Sequence, residues 1–226
     1  LGGGTFDVSL VELMGGIVEV RASHGNTRLG GDDFDERLAQ RVAEAFEQDH
    51  GVDLREDRRA WARLLRASEM AKIELSDQPF AWIKEEYIAE KRGVPLHLEY
   101  EASRHEFEEA ITDLLDLTLE SVDRVLEDAD VSRQDLTQVL MVGGSSRVPA
   151  VWSLVADYLN IEPRMSINPE EVVALGASVQ AAIIAGEPID AILVDVTPHS
   201  LGIAVAETRM GRVVTDRYKV LIHRNT

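Results

Sequence analysis

The sequence predicts an α/β domain that carries an inserted subdomain and is followed by a short linker and the start of a β domain. Three observations support this. A glycine-flanked hairpin opens the chain, helix-period stripes then alternate with strand signals and a Gly-rich strand-to-helix loop, and after Gly186 and Pro188 only strand signals remain. With 226 residues and 45% hydrophobic content, the chain can bury a real core and is of one- to two-domain size.

Each element has its own signal. Leu1-Gly2-Gly3-Gly4-Thr5 leads into a run in which Phe6, Val8 and Leu10 alternate with Asp7 and Ser9, the period of a half-buried strand. Gly15-Gly16 separates it from a second such run, a hairpin signal. Leu29-Gly30-Gly31-Asp32-Asp33 reads as a helix start, with acidic residues at the cap and Phe34, Leu38, Val42 and Ala45 at helical spacing. Residues 57–76 give a second helix with the stripe Trp61, Leu64, Ser68, Ala71 and Leu75. Residues 77–102 change character, with Pro79, Gly93, Pro95 and short strand-like pieces such as residues 96–100.

Ser103 with Glu106 forms a capping box that opens one long helix, striped by Phe107, Ile111, Leu114, Thr118, Val122 and Val125. The continuous apolar run at residues 139–142 reads as a buried, parallel strand. It enters Gly143-Gly144-Ser145-Ser146-Arg147 and a helix with Pro149 in its first turn. Asn168-Pro169-Glu170-Glu171 caps a last helix whose small residues (Ala174, Gly176, Ala177, Ala181, Ala182) suit close helix–sheet contact. Residues 191–195 are apolar but short, and strands with turns at Pro198 and Gly211 follow.

The balance of 23 basic to 41 acidic residues, net charge -18, argues against nucleic acid and against an anionic membrane as partner. Without cysteine there are no disulfides and no thiolate metal sites, and a reducing cytosol is compatible. The least polar stretch, residues 172–186, is broken by Ser178 and Gln180 and falls short of the roughly 20 residues that span a bilayer. His24, His50, His97, His105, His199 and His223 have no metal-ligand spacing.

Three motifs bear on chemistry. Gly2-Gly3-Gly4-Thr5 is neither a P-loop nor a dinucleotide fingerprint, and taken alone it reads equally as a tight turn or as an anion-binding concavity of the actin-like kind. The loop at residues 143–147 lacks a nucleophile elbow. It is either an ordinary connection or a backbone shelf for a flat ligand, with Arg147 placed to stack on a base. Glu69, Lys72 and Ser76 share a helix face, as a solvated Glu–Lys pair or as a set that hydrogen-bonds a ribose and a base.

Six ordered motifs make a family resemblance specific: residues 1–9 (LGGGTFDVS), 29–35 (LGGDDFD), 71–76 (AKIELS), 142–149 (VGGSSRVP), 168–171 (NPEE) and 195–203 (DVTPHSLGI). Over essentially the whole chain they resemble the seventy-kilodalton heat-shock chaperones of the bacterial DnaK type. The resemblance implies an actin-like (ribonuclease H-like) ATPase lobe at residues 1–187, with an inserted α+β subdomain at about 31–110. A linker at 188–195 and the truncated start of a β-sandwich at 196–226 would follow.

By the same resemblance, Gly3, Gly4 and Thr5 hold the β- and γ-phosphates of ATP or ADP, and Gly31 and Asp32 border the nucleotide. Glu69, Lys72 and Ser76 contact ribose and adenine, while Gly143, Gly144, Ser145 and Arg147 form the adenine shelf. Glu170 stands by the nucleotide where the family more often has Asp, and Ile192, Leu193, Val194 and Asp195 form the allosteric linker. Mg2+ in the full-length parent, extended apolar peptides, a J-domain co-chaperone, a nucleotide-exchange factor, a stress response and a cytoplasmic location are implied in the same way. The divergence of residues 77–102 from the usual insert bears on exchange-factor docking.

The start at Leu1 is read as that of a fragment whose upstream part holds the opposing lobe, so the piece alone is expected to bind ATP weakly and not to hydrolyse it. Two other readings are an actin-like sugar kinase, which the Asp195-Val196-Thr197-Pro198 junction disfavours, and a non-catalytic nucleotide or co-chaperone docking module.

Overall fold

The computed structural model describes every residue except Asp190, Ala191, Pro198, Met210, Gly211 and Asn225. The turns expected at Pro198 and Gly211, and the Asp190-Ala191 part of the expected linker, lie outside the described residues. In chain order the elements are strands β1 (Phe6–Met14) and β2 (Ile17–Asn26), helices α1 (Gly31–His50) and α2 (Arg58–Asp77), and strands β3 (Phe80–Lys91) and β4 (Val94–Ser103). Helices α3 (Arg104–Ala110), α4 (Thr112–Ala129), α5 (Pro149–Leu159) and α6 (Val172–Ile184) follow, then strands β5 (Ile192–Val194), β6 (Leu201–Arg209) and β7 (Arg212–Ile222). The chain divides into one unit of residues 1–6, 26–119 and 137–177 and a second of 7–25, 120–136 and 178–226.

The first unit is built on two long helices and a hairpin. Asp32 and Asp33 lie in the first turn of α1, where the helix dipole favours them, and Asp33 Oδ2 accepts from Gly30 N (2.8 Å). Gly51 ends the helix in a left-handed conformation. Phe34, Leu38 and Val42 are buried as expected, with Ala39, Ala43 and Phe46 completing the stripe and Ala45 only half-buried. Asp57 caps α2 by accepting from Arg59 N (2.8 Å), and Leu64, Ser68, Ala71 and Leu75 face inward.

Strands β3 and β4 pair antiparallel from Phe80 opposite Ser103 to Lys91 opposite Val94, a longer hairpin than the short pieces the sequence suggested. The register shifts between Glu85 and Ala89. Four residue steps in β3, Glu85 to Ala89, stand opposite two in β4, so the bulge holds two extra residues. Ala81 and Ile83 before it and half-buried Ala89 after it keep one parity toward the core, and Ile88 is buried within the bulge itself. Arg63 of α2 holds the bulge: its guanidinium donates to Glu86 O (2.7 Å) and Tyr87 O (3.1 Å) and pairs with Glu85.

Three expectations are corrected. The Ser103–Glu106 capping box forms, but the helix it opens breaks at Ile111, leaving α3 and α4 as separate helices. Thr112 Oγ1 donates back to Glu108 O (3.1 Å), a competition with the backbone ladder that bends helices. Leu115 and Ser121 are buried in α4, while Leu114 and Val122 of the expected stripe are half-buried. Residues 139–142 form only one parallel bridge, Leu140 with Arg164, and Leu140 is 62% exposed. The direction is as expected and the burial is not, because a single bridge covers one edge and no face. No described residue of α6 is buried, and a Cβ at Gly176 would meet nothing within 4 Å, so its small residues make no close contact.

In the second unit, Gly15 and Gly16 (φ 53 and 87) turn β1 into β2 as the Gly-Gly signal predicts. On the other side of β2 lies β5, parallel, with Ile17, Val18 and Glu19 opposite Ile192, Leu193 and Val194. β6 and β7 form an antiparallel hairpin. No described helix is long and apolar enough to cross a membrane.

Candidate functional site

Three glycine-bearing segments of the first unit, far apart in sequence, meet through their backbones. The N–H groups of Gly31 and Asp32, at the start of α1, donate to Gly2 O (2.9 Å) and Gly3 O (2.7 Å). From the third segment, Ser145 Oγ donates to Gly2 O (2.9 Å), and Val142 O accepts from the Leu1 nitrogen (2.7 Å). The approach is too close for side chains at two points. A Cβ on Gly30 would lie 2.3 Å from Gly3 O, and one on Gly143, whose φ is already +91, would lie 2.2 Å from Leu1 O.

Beside this junction is a cleft of about 510 Å³, within the range of small-molecule sites. Gly3 and Asp32 contribute from the first two segments, Glu69, Lys72 and Ser76 from α2, and Gly144, Ser145 and Arg147 from the third, with Glu170 across from them. Nine residues singled out from sequence therefore line one cavity. The other four do not. Gly31 and Gly143 belong to the packed junction, and Gly4 and Thr5 are exposed.

Sequence reasoning missed Ile73, Asp77, Ser146, Val148, Pro149, Trp152 and Met165 in the lining. Ile73 and Asp77 were accessible to it, since they continue the Glu69 face at four-residue steps. Trp152 had no such signal; its indole is fixed by Nε1 donating to Glu162 Oε1 (2.8 Å). With Ile73, Val148, Pro149 and Met165 it gives the cleft an apolar side suited to a flat ring.

The charges do not pair as the local spacing suggested. Lys72 is not partnered by Glu69 on its own helix but by Asp35 of α1, Nζ to Oδ2 at 2.9 Å, and it also donates to Gly31 O (3.1 Å). Both side chains are buried. Burial pushes the Asp35 carboxyl up to about 6 against the opposing pull of Lys72, with the nearby charges of Glu69 and Asp32 adding to the rise. Arg147 Nε lies 3.5 Å from Glu170 Oε1 and its Nη2 donates to Asn168 Oδ1 (3.3 Å), leaving the guanidinium plane oriented by two partners. Ser76 Oγ donates to Lys72 O (3.3 Å).

Asp32, Glu69, Asp77 and Glu170 thus face the cleft with only Lys72 and Arg147 as cations, each already paired. Such a wall accepts from sugar hydroxyls and base N–H groups and repels an unaccompanied polyphosphate. Among the described residues no cluster of three His, Cys, Asp or Glu side chains is arranged to hold a metal ion.

Comparison with known proteins agrees along the whole chain. The family model described as "Hsp70 protein" matches residues 1–225. The chain is similar to the protein named Chaperone protein DnaK from Thermotoga neapolitana, 44% identical over 230 residues, covering all of this chain and 39% of the relative. The proteins of the same name from Thermotoga petrophila and Thermotoga maritima match with the same identity and coverage. The chain thus spans about two fifths of the length of these curated relatives.

Proposed function

The chain belongs to the Hsp70 protein family, and from that premise we propose that its cleft holds the nucleoside part of ATP or ADP in an ATP-driven chaperone. The observation that carries this reading is the convergence of Gly3, Asp32, Glu69, Lys72, Ser76, Gly144, Ser145, Arg147 and Glu170 on one cavity from five separate stretches of sequence. Family membership implies the actin-like fold for the ATPase part, with residues 31–110 as its inserted subdomain.

In this reading the carboxylates of Glu69 and Asp77 accept from ribose or base. The Arg147 plane, set by Glu170 and Asn168, lies on the adenine, with Trp152 and Ile73 as apolar neighbours. Gly4 and Thr5, outside the cleft lining, reach toward the β- and γ-phosphates. Mg2+, if carried in by the nucleotide, would supply the charge neutralisation that phosphoryl transfer requires. This chain's residues bind and orient, and hydrolysis is the work of the whole protein.

Residues 188–195 would couple the site to a β-sandwich starting at residue 196 that binds extended apolar peptides. The parallel pairing of β5 with β2 supports a docked linker, since a strand seated there answers to the sheet it joins. A J-domain co-chaperone, a nucleotide-exchange factor, a stress response and a cytoplasmic setting complete the proposal.

Calorimetry on the full-length protein tests it. Adenosine and ADP should bind, and ADP should bind more tightly than GDP, because the base lies on a shaped surface. Equal binding of inorganic triphosphate and ATP would remove the nucleoside from the cleft.

A further inference from the structure

One member of the buried pair beside the cleft, Asp35, plays no part in the proposal above. Asp35 is 6% exposed and lies on α1, and its partner Lys72 lies on α2 and lines the cavity. Lys72 Nζ donates to Asp35 Oδ2 (2.9 Å) and to Gly31 O (3.1 Å), which uses two of its three hydrogens. Asp35 Oδ1, 2.9 Å from the same ammonium, is buried without a hydrogen-bond partner among the described residues. A lysine on a flexible four-carbon stem is otherwise a poorly placed donor, and here one carboxylate fixes its position.

We propose that Asp35 is the positioning residue of this site: it holds the Lys72 ammonium fixed at the cleft wall, leaving the third hydrogen for a sugar hydroxyl of the nucleotide. The proposal rests on the nucleotide reading of the cleft. It carries a pH signature. The groups facing Asp35 are Lys72 and Glu69 from α2 and Asp32 from its own helix. Burial and the two carboxylates favour its protonated form and the ammonium opposes them, so Asp35 is an anion at neutral pH and loses its charge as pH falls through about 6. The hold on Lys72 weakens with it, and nucleoside binding should weaken over the same range.

ADP affinity of the full-length protein, measured by calorimetry from about pH 5.5 to 8, distinguishes this from a mere staple between α1 and α2. Asp35→Asn, nearly isosteric, should lower ADP affinity about tenfold at neutral pH, the loss of one charge-assisted contact, and should flatten the fall toward acid. Lys72→Met should do the same, and the double variant should be no weaker than Lys72→Met alone. If Asp35→Asn lowers only the melting temperature, with ADP affinity and its pH profile unchanged, Asp35 is a staple and the inference fails. If Asp35→Asn does not fold, Lys72→Met decides: an acid-side fall identical to wild type overturns the role. No ADP binding by wild type at any pH would sink the nucleotide reading and this inference together, whereas intact ADP binding with unaltered variants sinks this inference alone.

Discussion

Arg147 sits between Glu170 and Asn168 with its guanidinium edge occupied and its faces left over, the arrangement that suits stacking rather than ion pairing with a ligand. Arg147→Ala in the full-length protein should therefore weaken ADP binding by about 3- to 30-fold, the span of a cation–π contact, and leave inorganic triphosphate unaffected. Equal losses for both ligands in calorimetry would contradict a base-stacking role. Asp35 gives a second expectation, on stability. Its carboxyl titrates near 6 when folded and near 3.8 when unfolded, so the folded chain binds the proton more tightly. Its contribution thus favours folding below about pH 4 and is lost as pH rises to about 6. Urea midpoints of wild type minus Asp35→Asn should fall across that window, and a flat difference would refute the raised value. Glu69, Lys72 and Ser76 were legible because their three- and four-residue spacing is local. Asp35 was not, since its partner lies on another helix and Glu69 offered a nearer anion.

The β3–β4 hairpin illustrates how an element hides from a periodicity reading. Alternation is the strand signal, and the two extra residues between Glu85 and Ala89, with Ile88 buried among them, interrupt it midway, so two short runs replace one long one. The device that stabilises the bulge comes from α2. Arg63 satisfies two carbonyls and one carboxylate there, and Tyr87 sits at φ 52, a strained angle for an aromatic residue. Arg63→Ala should cost about 1–3 kcal/mol, read as a lowered urea midpoint at unchanged slope, while the hairpin turn at Arg92-Gly93 keeps its register. A loss confined within experimental error would mean the bulge stands without its arginine. The start of α1 and both ends of α2 were legible because caps and stripes largely agree there. The break between α3 and α4 was missed because Thr112 fits the stripe's polar side as well as it fits a back-bonded kink.

On the scale of the whole molecule, the proposed coupling rests on three residues. Ile192, Leu193 and Val194 are exposed on their side chains (61%, 48% and 45%), so their backbone pairing with Ile17, Val18 and Glu19 is what seats them. A ligand can drive such a segment on or off only through different affinity for the two arrangements. Replacing all three by Asp in the full-length protein should leave ATP affinity within about twofold and abolish stimulation of ATPase rate by peptide. Normal stimulation in steady-state turnover would make the segment a strand and not a switch. The same seat has a second consequence. β2 has β1 on one flank and β5 on the other; without β5, the N–H and C=O groups at Ile17–Glu19 become an open template for a foreign strand. The short apolar segment covers that edge. In the proposed released state the seam at Ile17–Glu19 would be uncovered, and chains cut before Ile192 should clump at concentrations where the intact chain stays dispersed.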